Sequence, residues 1–246
     1  MDIKLCILTA LWGRPVLSKL FLERMGCLIN TFGISVVAVV SGDSRLSDLC
    51  DINRVCHVNC ENKPLGKKWN TGLAACKDKN FTHLMILGSD DLPSNDFIRY
   101  NISRLSDGYD YFGSRGLYMF GGRKNFRGFG ELFYFRYGGY LVGPGRCFSR
   151  KFIEKCNWIL WDNSRNSGLD GSAAKRVRKD KFIKKGSYDV AEQGLFLVDI
   201  KTTGNVSGIP SGAKKNPQDF VDFVNKNLPP QEAENLKKFL IKTRAL

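Results

Sequence analysis

Residues 34–40 (ISVVAVV) form an almost unbroken apolar run. A strand this uniformly apolar has no polar face to offer water, so it belongs inside a sheet covered on both sides. The pattern recurs at residues 3–9, at residues 83–87 (HLMIL) and, more weakly, at residues 54–58. Between the first two runs, residues 14–32 place Val16, Leu17, Leu20, Phe21, Met25, Leu28 and Ile29 at helical spacing, and residues 65–77 read as a second helix with Gly66 near its start. Alternating strand and helix signals over the first hundred residues predict an α/β fold with a mostly parallel central sheet flanked by helices.

The second half changes texture. Residues 108–148 are rich in glycine and aromatics, with strand-like stretches at 109–113, 117–120 and 132–137. Residues 150–161 read as a helix, 162–186 as a polar, basic segment, and 195–200 as a strand. An amphipathic helix is predicted from Pro229-Pro230 to Thr243, with Leu236, Phe239 and Leu240 inward. No repeat or linker is visible, so one domain over residues 1–246 is expected. Within it, residues 1–105 form the regular half, 106–205 an irregular half, and 206–246 a helical extension.

Composition narrows the function classes. The 246 residues are 43% hydrophobic and 12% aromatic, enough to bury a core without metal or disulfide staples, which excludes a disordered chain. Thirty-eight Lys and Arg against 24 Asp and Glu give a net charge of +14, which favours polyanionic partners: nucleic acid, anionic membrane surface or phosphorylated small molecules. The sharpest basic feature is residues 175–185, where seven of eleven side chains are cationic. It reads either as a solvated surface or as a nucleic-acid contact made through phosphates. No apolar run is long enough to span a membrane and no secretory leader is evident, so a cytoplasmic location and reduced thiols are expected for the eight cysteines. Cys50, Cys56, His57, Cys60 and Cys76 lack the paired knuckle spacing of structural zinc sites and read as packed thiols.

Asp90 and Asp91 are the strongest chemical signal. They follow an apolar strand at its carboxyl end, where open α/β sheets bind ligands. Two adjacent carboxylates repel, and a hard divalent cation such as Mg²⁺ or Mn²⁺ would relieve that while leaving positions open for phosphate oxygens. The alternative is a turn, Asp91-Leu-Pro-Ser, that caps the next helix.

The segment 62–91 (N-x-P-L-G-K-K-W-N-T-G-L-A-A-C-K, then H-L-M-I-L-G-S-D-D-L-P) resembles the GT-A glycosyltransferases, above all their family 2-like members. Residues 5–15 (LCILTALWGRP) resemble the first strand and nucleotide-binding turn of that family, and residues 36–43 (VVAVVSGD) its second strand. Gly143-Pro-Gly-Arg-Cys-Phe-Ser-Arg resembles a stretch near the acceptor site, and Trp158-Ile-Leu-Trp-Asp with Gly168-Leu-Asp-Gly-Ser resembles the region that carries the general base. The resemblance covers residues 3–205. Gly88 stands where many members carry a further Asp.

The resemblance implies a GT-A-type, Rossmann-like fold and transfer of a sugar from a nucleoside-diphosphate sugar to an acceptor hydroxyl. The acceptor is left open among a glycan, a protein and a hydroxylated DNA base. Asp90 and Asp91 would hold the cation, Mn²⁺ or Mg²⁺, with Asp90 also at the donor. Asp170, or else Asp162, would deprotonate the acceptor in an inverting reaction. Asp170 also suits a helix N-cap. Thr9, Arg14 and Asp43 are the donor contacts that the resemblance implies by position. Arg146 and Lys201 read either as cations approaching the diphosphate or the acceptor or as solvated surface. Lys67 and Lys68 read either as charge offsetting the pyrophosphate or as the exposed first turn of a helix, and Asn70 either as a donor to the pyrophosphate or as a brace of the loop. His57 and His83 both fall early, which leaves the rest of the metal shell to water and phosphate. The competing classes are a nucleic-acid-binding protein and a nucleotidyltransferase, although Trp12-Gly13-Arg14-Pro15 has only one glycine where the latter displays a glycine-rich loop.

Overall fold

The computed structural model describes residues 2–42, 44–121, 131–201 and 208–243. The first half runs β1 (Leu5–Trp12), α1 (Pro15–Phe32), β2 (Ser35–Ser41), α2 (Ser44–Ile52), β3 (Cys56–Asn59), α3 (Leu65–Ala75), β4 (His83–Ile86), β5 (Asp91–Pro93) and α4 (Asn95–Leu105). The second continues with β6 (Tyr111–Ser114), β7 (Gly116–Gly121), β8 (Glu131–Arg136), β9 (Arg146–Ser149), α5 (Arg150–Lys155), α6 (Leu169–Lys179) and β10 (Lys185–Tyr188). It closes with β11 (Leu197–Ile200), β12 (Lys214–Lys215), α7 (Phe220–Asn227) and α8 (Pro230–Thr243).

Two sheets form. The central one has seven strands in the order β10-β6-β9-β4-β1-β2-β3, and the smaller one five in the order β12-β8-β7-β11-β5. In the central sheet β1, β2, β3 and β4 are mutually parallel, and β9 runs antiparallel between β4 and β6. Strand periodicity explains the layering. Leu5, Ile7 and Leu11 of β1 enter the core beneath α1, which supplies Leu17, Phe21, Met25 and Leu28, while Cys6 and Leu8 enter the opposite core with Leu73 of α3 and Phe152 of α5. Each of these side chains is buried, and a fully buried side chain of this size contributes about 1.5–3 kcal/mol of transfer free energy.

Several boundaries differ from the sequence reading. The helix expected over residues 150–161 stops at Lys155, because Asn157 and Trp158 take left-handed backbone (φ 53° and 59°) and the next residues are held from outside. That hold is Asn70: its side-chain oxygen accepts from the Leu160 and Trp161 amides at 3.1 and 3.2 Å, and its amide donates to the Trp161 carbonyl at 2.8 Å. β9 was not expected, since a four-residue strand containing Arg and Ser has no period to read. The strand expected from residue 54 starts at Cys56, after Arg54 turns with φ 58°. No described helix is long and apolar enough to cross a membrane.

Gly66 shows how tightly the 159–165 loop lies on α3. A methyl group there would sit 1.8 Å from the Asp162 carbonyl oxygen, while the Gly66 amide donates to the Arg165 carbonyl at 2.8 Å. The obstruction is backbone and cannot be relieved by rotating a side chain. Gly66→Ala is therefore expected to lower stability by about 1–3 kcal/mol. Gly171→Ala, whose methyl meets nothing within 4 Å inside α6, is expected to raise it by about 0.5–1 kcal/mol. Urea titration of the two variants checks the pair; equal effects would mean that the Gly66 contact carries no weight.

Candidate active site

The smaller sheet assembles the acidic centre. β5 begins at Asp91 and pairs antiparallel with β11 so that Asp91 stands directly opposite Asp199, and the Ile200 amide donates to the Asp90 carbonyl at 2.9 Å. Asp90, Asp91 and Asp199 each place a carboxylate oxygen within 4.8 Å of the other two. They are the one such cluster of potential metal ligands among the described residues. The cysteines form none among the described residues: Cys50 and Cys76 are buried, and the exposed Cys56 receives Lys79 Nζ at 3.1 Å.

Like charges facing each other across an antiparallel pair are unfavourable, and here both are buried. Burial, then the charges of Asp199 and Asp90, push the Asp91 carboxyl well above its usual pKa, against an opposing hydrogen bond from the Gly88 amide. Burial, then Asp90, push Asp199 up to about 7 despite Lys201, whose Nζ lies 2.5 Å from Asp199 Oδ2. Burial alone would lower the Lys201 pKa; the charges of Asp199, Asp90 and Asp91 outweigh it and hold Lys201 above its ordinary value. Arg14 closes the other side, donating to Asp90 Oδ2 at 3.1 Å and to the Ser89 hydroxyl at 2.9 Å. Two successive left-handed residues, Gly13 and Arg14 (φ 58° and 46°), aim that guanidinium.

These residues fit a small divalent cation. The donors are hard oxygens, three acids face two cations, and Asp199 Oδ1 is buried without a hydrogen-bond partner. Where the sequence leaves water and phosphate to complete a shell begun by Asp90 and Asp91, the structure sets the Asp199 carboxylate beside the two acids as a third potential ligand. The turn-capping reading holds beside it: Ser94, the last residue of Asp91-Leu-Pro-Ser, caps α4 by accepting from the Phe97 amide, while the carboxylates of Asp90 and Asp91 stay with the acidic cluster.

Asp170 lies in the first turn of α6, where its charge suits the helix dipole, but Gly168 holds the N-cap position and the N-capping expectation fails. Its Oδ1 pairs with Arg146 Nη2 at 3.2 Å, and two-thirds of the side chain is exposed (67%). Arg146 is itself buried, with its other donors on the Val142, Leu141 and Asp170 carbonyls. Gly143 keeps the space clear, since a methyl there would lie 2.9 Å from Asp170 Oδ2. Arg146 is aligned with Ile86 at the end of β4, so Asp170 and the acid cluster are both fastened to the carboxyl end of that strand.

The remaining expected contacts scatter. Thr9 is wholly buried in β1 and its hydroxyl has no partner. Asp43 lies outside the described residues. Asn70 is spent on bracing the loop. Lys67 is exposed on α3, and its neighbour Lys68 is the buried one, donating to the Leu11 carbonyl at 2.7 Å and to Asn62 at 3.0 Å, with burial lowering its pKa to about 8. Asp162 accepts from the Ser164 hydroxyl and amide, and these bonds, with Arg165, hold its carboxyl below the usual range. Asp162 lines a cavity of about 720 Å³ between the 159–165 loop and α6. Sequence reasoning passed over Asp199 and Ser89; a lone acid in the apolar run 195–200 was the one available signal for the first.

No protein-family model matches the sequence, and no curated protein matches it. Among solved structures the chain is similar to S. aureus TarS residues 1–349 in complex with UDP, at 12% identity over 97% of this chain and 70% of that one, with a TM-score of 0.58. A longer TarS structure gives 13% identity, 97% and 43% coverage and a TM-score of 0.57. A cytidylyltransferase from Leptospira borgpetersenii serovar Hardjo-bovis gives 13%, 77% and 76%, with a TM-score of 0.48. At such identities the likeness is one of fold.

The acid cluster makes stability depend on pH in a defined direction. Without a cation, folded Asp199 keeps its proton to about pH 7, whereas the unfolded chain releases it near the ordinary Asp value of about 3.9. Between those values the folded state binds more protons, so this group's contribution to stability falls as pH rises. In EDTA, the melting temperature of Asp199→Asn relative to wild type is therefore expected to climb from about pH 4 to about pH 7. A flat difference across that window would mean that Asp199 is ionised throughout. The fold into which the sequence has arranged this centre is the GT-A type, a mostly parallel central sheet flanked by helices with a second, smaller sheet at its carboxyl edge.

Proposed function

We propose that this protein is a glycosyltransferase that moves a sugar from a nucleoside-diphosphate sugar to an acceptor hydroxyl, with a divalent cation at the donor and inversion at the anomeric carbon. The observation that carries this reading is the Asp90–Asp91–Asp199 cluster at the carboxyl end of β4, flanked by Arg14 and Lys201, in a GT-A-type fold. TarS, a similar fold, was solved with UDP, which makes a uridine nucleotide the first donor to try.

Held by the three carboxylates, Mn²⁺ or Mg²⁺ supplies positive charge that offsets the charge growing on a departing diphosphate. With the acids ionised, three negative charges against Arg14 and Lys201 leave one in excess, so the loaded centre would be net positive toward phosphate oxygens. Arg14 and Lys201 sit at the rim to donate to those oxygens. Asp170 accepts the proton of the attacking hydroxyl. Asp170 is preferred to Asp162 as the base: each is ion-paired, Asp170 to Arg146 and Asp162 to Arg165, but Asp162 also accepts two bonds from Ser164. Arg146 acts as a positioning residue, fixing Asp170 from a buried guanidinium.

A ligand that binds only the folded chain at a hundredfold excess over its Kd stabilises it by about 2.7 kcal/mol. For a chain of this size that is a rise of about 5–10 °C. UDP with Mn²⁺ is expected to give such a rise in wild type and in Asp170→Asn, and none in Asp91→Asn. Hydrolysis of the UDP-sugar donor is expected to fall about 10²- to 10⁴-fold in Asp170→Asn. Absence of any shift across a panel of nucleoside diphosphates would overturn the donor site, and unchanged turnover in Asp170→Asn would remove that residue as the base.

A further inference from the structure

The cavity beside Asp170 is not used by any step above. Its roughly 720 Å³ falls within the common range for ligand pockets, about 300–1,000 Å³. One wall is the 159–165 loop, with Trp161 and Asp162; the other is a face of α6. Both walls are built into the fold. Asn70 holds the loop to α3, Arg176 Nε donates to the Leu160 carbonyl at 3.2 Å, and the Ser172 hydroxyl accepts from the Asp162 amide at 2.9 Å.

Five cations line this space, Arg165, Lys175, Arg176, Arg178 and Lys179, against the single carboxylate of Asp162. Asp162 is already engaged by Ser164 and Arg165. Lys175 and Lys179 have no carboxylate partner among the described residues. A helix dipole favours cations in a last turn and accounts for Arg176, Arg178 and Lys179 being at the end of α6. It does not account for Arg165, on the facing loop, or for the convergence of all five on one concavity.

We propose that this cavity binds a phosphate group carried by the acceptor. Guanidinium forks and ammonium groups around a partly enclosed space match a multiply charged anion, which can bond several donors at once, better than a single carboxylate. The word acceptor rests on the transferase reading; the anion site itself does not. Gly171 and Ser172, which follow Asp170 directly in the chain, line the cavity, which puts the anion site next to the turn of α6 that carries the proposed base. The volume suits one charged group and its flanks, and the inclusion of Arg165 from the facing loop favours a small phosphate ligand over a nucleic-acid surface along residues 175–185.

The test is an NMR titration with glucose 6-phosphate and with glucose, read at the Asp162 and Ser172 amides of wild type, Lys175→Ala/Lys179→Ala and Asp91→Asn. Glucose 6-phosphate is expected to shift both amides in wild type, with glucose inert. The double variant, checked for an unchanged melting transition, is expected to bind about tenfold more weakly or worse, and Asp91→Asn to bind as wild type. UDP with Mn²⁺ gives the converse pattern, so loss of the donor site and loss of the anion site are read separately. Equal binding by wild type and double variant overturns the proposal. So does displacement of glucose 6-phosphate by duplex DNA at far lower concentration, which assigns the cations to nucleic acid instead.

Discussion

Asp91 and Asp199 face each other across one rung of a short antiparallel pair, and both are buried. No arrangement of two carboxylates is less comfortable without help, because burial and mutual repulsion act in the same direction. The surroundings are organised to relieve it. Lys201, just past the end of β11, brings its ammonium to Asp199, the Gly88 amide points at Asp91, and Arg14 is swung over Asp90 by a left-handed turn. Gly88 has to stay small, since a methyl there would lie 2.6 Å from Asp90 Oδ1 and 2.9 Å from Asp91 Oδ2. Among the described residues three carboxylates face two cations, so with all three ionised one negative charge is left uncancelled.

Asp170 depends on a different kind of constraint. Arg146 sits in a strand that has no apolar pattern, yet it is buried because its donors reach three backbone carbonyls and the Asp170 carboxylate. A buried guanidinium is tolerable only when it is bonded in this way. The same economy holds at Asn70, whose one amide group fastens the Leu160–Trp161 backbone to α3 and so fixes the wall that α6 faces. Position, and not flexibility, distinguishes these polar residues from the many exposed ones.

Much of the scaffold could be read along the chain. The runs at 34–40 and 83–87 became β2 and β4, residues 14–32 became α1, and the last amphipathic stretch became α8, since period and uniform apolarity are local properties. Asp90 and Asp91 were conspicuous because they interrupt an apolar run at its end. Asp199 was not, because one acid within an apolar strand says nothing until its pairing partner is known. β9 and the loop after α5 escaped for the same reason: the bonds that shape them come from residues distant in sequence.

By itself, then, the sequence determined the strands and helices whose period or apolar run is local, where two acids end a buried strand, and how strongly basic the segment after Asp170 is. Only the tertiary structure decided that β11 would lie beside β5 with Asp199 opposite Asp91, that Arg146 would hold Asp170 at the end of β4, and that five cations would converge on one cavity. Periodicity is written in neighbouring residues, whereas register and convergence follow from packing between segments far apart in the chain, which no local pattern encodes.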